Sequence, residues 1–233
     1  LLQSEVPEGK GVSSSAAVEV ATMQAMARAI GLEMDGVQLA TLCQRVENYI
    51  VGAPCGIMDQ MASALGRENE LLALLCQPAE IRGYVPIPPT IRLWGVDSGV
   101  RHAVGGGDYA SVRIGAFMGY RIIADLAGLP VTDVDPSGVL QVHDPVWRGS
   151  LTNLSPAEFD ARFRDRLPEA MAGAEFLGRY GGLTDPVTRV DPSRIYAVRR
   201  PTTHPVYEND RVRRFGELLG SAHAEESLRE MGG

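Results

Sequence analysis

The chain has 233 residues, 45% of them hydrophobic, enough for one large domain or two modest ones and too apolar for disorder to be its main state. Its 22 Lys and Arg stand against 29 Asp and Glu, a formal charge of -7, which argues against binding to a phosphate backbone; no nucleic-acid partner is expected. No apolar run approaches the roughly 18–20 residues that span a bilayer, so no membrane association is expected either. The longest candidate is 71–76. The first residues, Leu1-Leu2-Gln3-Ser4-Glu5, carry no charged-then-apolar leader pattern. Cys43, Cys55 and Cys76 are odd in number and lack C-x-x-C spacing, so a disulfide scaffold and a zinc knuckle are disfavoured. They read as small buried hydrophobes in a soluble protein of a reducing, cytoplasmic setting. Lys10 is the only lysine.

The stretch Val6-Pro7-Glu8-Gly9-Lys10-Gly11-Val12-Ser13-Ser14-Ser15 reads as a flexible loop feeding a helix over 14–30, which Gly31 stops and over which Leu32 folds back. A second helix begins after Asp35, with Gln38 in capping-box register. Leu39, Leu42, Cys43, Val46 and Ile50 form its predicted buried stripe, and Glu47 sits beside it. Val51-Gly52-Ala53-Pro54-Cys55-Gly56 is a tight loop, and 57–65 a short helix ending at Gly66 with Asp59 in its first turn. Strand-like runs come next at 71–76, 81–87 and 91–96, and Pro88-Pro89 is the expected domain boundary, dividing 1–88 from 89–233.

A second glycine-rich loop, from Asp97 to Tyr109 and including Arg101, His102 and Asp108, leads into a long helix with Ile114, Met118, Ile122 and Leu126 in one row and Phe117 beside them. Ser155-Pro156-Ala157-Glu158 is a helix start, with Phe159, Phe163 and Leu167 facing the core. Further helices are predicted over 168–180 and 206–229, giving an α+β pattern without internal repeats. Nothing in the closing Met231-Gly232-Gly233 supplies a last strand, so both ends read as cuts through a longer protein. His143, His204 and His223 are scattered and read as surface or core residues.

A glycine-rich loop entering a helix N-terminus presents several N–H groups and the positive end of a dipole to one point, which suits a phosphate. The form G-x-x-x-x-G-K-[S/T] is absent, because Gly11 follows Lys10, and G-x-S-x-G fails because Ser15 replaces its last glycine. Physics alone leaves a phosphate site and an ordinary serine-capped helix both open. Pro7-x-x-x-Gly11-Val12-Ser13-Ser14-Ser15-Ala16, however, resembles the phosphate-binding signature of the GHMP kinases. Glu47-Asn48, followed by Val51-Gly52-Ala53-Pro54-Cys55-Gly56-Ile57-Met58-Asp59-Gln60, is similar to the sugar-site segment of the galactokinase branch. Within that branch the likeness is nearest to the L-arabinokinase group, through VSSSAAVEVA at 12–21, GAPCGIMDQM at 52–61, the run 94–118, and Arg200-Pro201-Thr202-Thr203-His204-Pro205-Val206-Tyr207-Glu208-Asn209.

The resemblance implies a two-lobed α+β fold, with a ribosomal protein S5 domain 2-like N-terminal lobe and a ferredoxin-like C-terminal lobe, truncated at both ends, and with ATP and sugar meeting in the cleft between lobes. It implies ATP-dependent phosphorylation of the anomeric hydroxyl of a small sugar, L-arabinose first and D-galactose as the alternative. A sugar-responsive protein without turnover and an incomplete piece of a larger enzyme are the other readings. Gly9, Gly11, Ser13, Ser14 and Ser15 would cradle the triphosphate, and Ser15 with Glu47 would hold Mg²⁺. Gly56 and Asp59 would meet the anomeric end of the sugar, Asp59 as the catalytic carboxylate, and Tyr109 its ring. Taken singly, Ser15 also reads as a helix cap, Glu47 as a solvated helix face and Asp59 as a first-turn carboxylate answering the helix dipole. Asp97, Arg101, His102 and Asp108 border the same cleft in this reading. Oligomeric state is not legible.

Overall fold

The structure is a computed structural model that describes residues 2–100 and 107–220. Arg101, His102 and His223, and the part of the last predicted helix beyond 220, lie outside the described residues, as does the side chain of Asp108. The chain forms two compact units, Leu1–Gly105 with Phe215–Gly233, and Gly106–Arg214. Helices and short antiparallel strand pairs make up both, an α+β composition. Among the described residues no helix is long and apolar enough to cross a membrane.

In the first unit, α1 (Ser14–Ala29) ends as its glycine dictates. Gly31 takes φ 69°, its N–H donates to Arg28, and Leu32 donates to Ala27, closing the last turn. Helix α2 (Gly36–Val46) starts on Asp35, whose carboxylate accepts from the Val37 and Gln38 N–H groups at 2.9 and 2.8 Å while Gln38 reaches back to the Asp35 N–H. This is the capping box read from the sequence. A π-helical turn, Glu47–Val51, continues α2 without a break, and a loop then leads to α3 (Met58–Leu65). The three helices pack on Val20, Leu39 and Cys43 on one side, and on Ala40, Ile57 and Met61 on the other. A Cβ at Gly36 would stand 2.3 Å from Leu65, so a hydrogen there is what lets the start of α2 meet the end of α3.

The π-turn corrects the predicted stripe. One extra residue in the turn rotates the residues after it, so Ile50 is 80% exposed while Glu47 swings in to 6%; Leu42, in α2 before the turn, is also exposed. Strands β1 (Glu70–Leu75) and β2 (Glu80–Pro86) pair antiparallel with Leu72 opposite Tyr84, and the Tyr84 hydroxyl donates to the Leu65 carbonyl, fastening the hairpin to α3. The third predicted strand, 91–96, is not one. It runs on from a turn at Pro88 with Trp94 82% exposed and finds no partner strand among the described residues. The first compact unit accordingly runs past Pro88-Pro89. Cys43 is buried and Cys55 half-buried as expected of small hydrophobes, but Cys76, just after β1, is exposed.

In the second unit α4 (Gly107–Leu126) is the central helix. Ile114, Met118 and Ile122 are buried in the predicted row, joined by Tyr120 and Ile123. The sequence hid the hairpin of β3 (Val131–Val134) and β4 (Leu140–Val142), because Val131 and Val134 are exposed and give no apolar alternation. Helix α5 (Pro156–Arg162) starts on Ser155, whose hydroxyl accepts from the Glu158 N–H, and Phe159, Phe163 and Leu167 are almost wholly buried as expected. The predicted helix 168–180 divides into strand β5 (Ala170–Ala172) and α6 (Gly173–Tyr180), since Ala170–Ala172 pairs with β6 (Ile195–Ala197). Helix α7 (Arg199–Gly220) begins earlier than predicted, with Pro201 in its first turn, where a proline N–H is not needed. Inside it, Pro205 has no N–H to donate to the Pro201 carbonyl one turn back; separately, the Thr202 and Thr203 hydroxyls donate to the Val198 and Arg199 carbonyls at 2.7 and 2.8 Å. A Cβ at Gly119 of α4 would overlap Thr202 of α7, so this crossing too requires glycine.

One ion pair stands out in this unit. Asp185 is fully buried and accepts two bonds from the Arg113 guanidinium, at 2.7 and 2.9 Å, a third from the Thr188 hydroxyl at 2.6 Å, and weaker ones from the Val187 and Thr188 N–H groups. Burial pushes this carboxyl up, but the Arg113 pair and the other donors outweigh it and hold it below the usual carboxylate range. Such a pair is costly to break from one side, because the remaining charge loses its partner. Asp185→Ala should therefore lower stability by about 3–5 kcal/mol, read from denaturant unfolding; a loss too small to measure would show that Arg113 re-solvates freely.

Candidate functional site

The loop before α1 alternates in handedness. Gly9, Gly11 and Ser13 have φ of 68°, 70° and 61°, whereas Lys10 and Val12 between them do not take positive φ. Alternation of this kind turns successive N–H groups toward one concave side, the backbone nest that accepts anions. Two glycines adopt it freely; Ser13 does so at a strain of about 1–2 kcal/mol. Ser13 is the N-cap of α1, yet its side chain makes no capping bond and the first turn holds no acidic residue. The first N–H groups of α1, which have no intrahelical acceptor, are thus left without a side-chain cap directly after the nest.

A cleft of about 340 Å³ opens there, lined by Gly9, Gly11, Ser13, Ser14, Ser15, Glu47, Val51, Gly52, Ala53 and Asp59. Seven of the residues singled out in the sequence, across a separation of fifty positions, meet in it. Gly56 is not among its lining residues, and Tyr109 stands exposed in the first turn of α4, in the second unit. Asp97 is held by another contact: its carboxylate takes Lys10 Nζ at 2.7 Å and the Gly99 N–H at 2.9 Å. The Lys10 bond, with the Gly99 N–H, keeps the Asp97 carboxyl below its ordinary value. The single lysine therefore fastens the nest to the segment after β2.

Each carboxylate reaches the cleft by a local device. Asp59 stands in the first turn of α3, half-buried, where the helix dipole favours a negative charge. Glu47 opens the π-turn, and its carbonyl accepts from both the Gly52 and Ala53 N–H groups, a wide turn closed by Gly52 at φ 82°. Ser15 and Glu19 lie one helical turn apart on the same face of α1, Ser15 at the cleft and Glu19 beneath it. Ser15 and Glu47 are oxygen donors of the kind Mg²⁺ takes. Among the described residues no three His, Cys, Asp or Glu side chains gather into a closed metal cage, so a cation here would complete its shell with phosphate and water, which is the habit of Mg²⁺.

Two site residues escaped the sequence reading, Glu19 and Gln60. Gln60 is fully buried, and its Nε2 donates to Glu47 Oε2 at 2.6 Å and to Glu19 Oε2 at 3.4 Å; the half-buried Cys55 thiol also donates to Glu47 Oε2, at 3.7 Å. Burial, then the nearby negative charge of Glu47, push the Cys55 thiol up to about 12, so it stays protonated and is no nucleophile. Burial also lifts Glu19, partly offset by the Gln60 bond and reinforced by Glu47, to about 7. A carboxyl raised in the fold binds its proton more tightly there than in the unfolded chain, so ionising it costs stability. Stability should fall as pH rises from 4.5 through about 7. The depressed Asp144 and Asp185 titrate below that window. Glu19→Gln should flatten this slope and raise the unfolding midpoint at pH 8, by about 2–4 °C for each kcal/mol regained. Calorimetric scans of both proteins from pH 5 to 8 check this; parallel curves would remove Glu19 as the titrating group.

Residues 1–67 match the family described as GHMP kinases N terminal domain. Over its whole length the chain is similar to the L-arabinokinase of Arabidopsis thaliana, 49% identical over 245 aligned residues and covering 24% of that protein. Galactokinases of Chloroflexus aggregans and Chloroflexus aurantiacus are 40% and 38% identical over 128 residues, 55% of this chain and 33% of each galactokinase. The aligned residues cover only about a quarter of the L-arabinokinase and a third of each galactokinase. The signature loop, Glu47 and Asp59 all fall inside the N-terminal segment that matches this family.

Proposed function

We propose that the chain is the working part of an ATP-dependent sugar 1-kinase that phosphorylates the anomeric hydroxyl of L-arabinose, with D-galactose as the alternative substrate. The observation that carries this reading is the cleft in which the backbone nest of Gly9, Gly11 and Ser13 opens beside Glu47 and Asp59. In this reading residues 1–88 and 89–233 are parts of the N-terminal and C-terminal lobes of the family's fold. Gly9, Gly11, Ser13, Ser14 and Ser15 hold the triphosphate through backbone N–H groups and hydroxyls. Ser15 and Glu47 hold Mg²⁺, which when bound neutralises charge on the phosphate oxygens.

Asp59 orients the C1 hydroxyl and accepts its proton as the hydroxyl oxygen bonds to the γ-phosphorus and the bond to the departing β-phosphate oxygen breaks. Gly56, without a side chain and exposed on the loop before α3, leaves room for the sugar's anomeric end. Phosphoryl transfer demands little covalent chemistry of the protein and much positioning, which a rigid helix turn at Asp59 supplies.

Asp59→Asn in the full-length protein keeps the shape and removes the charge. It should lower kcat by about 10²–10⁴-fold with nucleotide affinity nearly intact, and steady-state kinetics at saturating sugar read it. Near-normal turnover in the folded variant would take Asp59 out of the chemistry. The sugar is tested separately. L-arabinose and D-galactose share ring hydroxyl stereochemistry and differ by a hydroxymethyl group, whose exclusion from a tight pocket is worth about 1–3 kcal/mol. A preference for L-arabinose in kcat/KM, measured by coupled ADP release, is the expected result; a clear preference for D-galactose makes the protein a galactokinase, and no turnover of either leaves a sugar-responsive binding protein.

A further inference from the structure

The fully buried Gln60 has only one of its two polar ends satisfied. Its Nε2 serves Glu47 and Glu19 and comes within 3.8 Å of Cys55 Sγ, whereas its Oε1 is buried without a hydrogen-bond partner. Turning the amide over would give Oε1 a place against two carboxylates, which is worse, so the orientation is set by the acids. An orphaned buried acceptor costs about 1–3 kcal/mol. An apolar side chain of the same length would avoid that cost and fill the same space between α1 and α3. Packing alone is therefore a poor account of an amide at this position.

A better account lies in which oxygen of Glu47 it occupies. The amide and the Cys55 thiol both land on Oε2, and Glu47 is otherwise 6% exposed, with its exposure in the cleft it lines. Holding Oε2 fixes the rotation of the carboxylate and leaves Oε1 as the oxygen that neither the amide nor the thiol engages. Glu19 steadies the amide from the other side, one helical turn below Ser15. Asp59 and Gln60 are consecutive on α3, so one short helix delivers the cleft carboxylate on one side and the support for Glu47 on the next.

We infer that Gln60 is a positioning residue, its amide setting the orientation in which Glu47 meets the cation, with Glu19 as the second anchor of the amide. This rests on the reading of Glu47 as a Mg²⁺ ligand. Partners of this kind that orient a metal-bound carboxylate typically govern metal affinity by about 10–100-fold.

The test uses Mn²⁺ as the probe on the full-length protein, titrated by electron paramagnetic resonance with a non-hydrolysable ATP analogue bound; the analogue's own affinity is measured in EDTA. Gln60→Met, close in length and without the amide, should weaken Mn²⁺ about 10–100-fold in the folded protein while leaving the EDTA affinity unchanged. Gln60→Asn, too short to bridge both acids, should also weaken it, by less, and decides the question if the methionine variant does not fold. Wild-type Mn²⁺ affinity in a folded variant overturns the inference. Glu47→Gln run alongside separates the two ideas. If it weakens Mn²⁺ and the Gln60 variants do not, only the positioning role falls; if none of them does, Glu47 is no metal ligand and the inference falls with that reading.

Discussion

The Gln60 amide, at 2.6 Å from Glu47 and 3.4 Å from Glu19, ties together α1, the π-turn after α2, and α3. Two buried or half-buried acids this close repel each other; the amide donates between them, and burial together with the repulsion raises the Glu19 carboxyl above its ordinary value. Remove that arrangement and Glu47 becomes an uncompensated buried charge, which the turn could relieve only by swinging outward into the regular helical register. The wide π-turn, the buried glutamate and the cleft are thus one device. The nest depends on it less directly: α1, whose N-terminus the nest feeds, is also the helix that carries Glu19.

Features set by a few neighbouring residues were legible. The Asp35 and Gln38 capping box, the Gly31 stop with Leu32 folded back, and the Ser155-Pro156 start each rest on steric or hydrogen-bonding rules that need no distant partner. What depended on distant partners was not. The run 91–96 has the composition of a strand but no strand to bond among the described residues, and Ala170–Ala172 became a strand only because Ile195–Ala197 pairs with it. Ile50 escapes its predicted place because a π-turn shifts the helical period by one residue, and nothing in Glu47-Asn48-Tyr49-Ile50-Val51 announces such a turn.

The site was legible in its loop and its two carboxylates, because motif spacing brought Gly9 to Ser15, Glu47 and Asp59 forward together. Glu19 and Gln60 were not, since a glutamate inside an alanine-rich helix and a glutamine beside a first-turn aspartate look like ordinary solvated side chains. The periodicity of α1 carried a usable clue: Glu19 adjoins the buried Val20 and follows the buried Ala16 by three residues, which places it beside the core-facing stripe. Ser13 gave no warning at all, because only the backbone shows that a serine has taken the left-handed conformation its two glycine neighbours prefer.

Lys10 adds something of a different kind. All 21 other basic side chains are arginines, so the chain carries one side-chain primary amine, and it sits at the crown of the nest with its Nζ engaged by Asp97. Within residues 1–233, reagents that acylate side-chain amines would mark a single atom, and an endoprotease specific for lysine would have a single peptide bond to cut, between Lys10 and Gly11. The loop therefore carries its own reporter: its accessibility can be followed by amine labelling against a background of guanidinium groups that such chemistry leaves untouched.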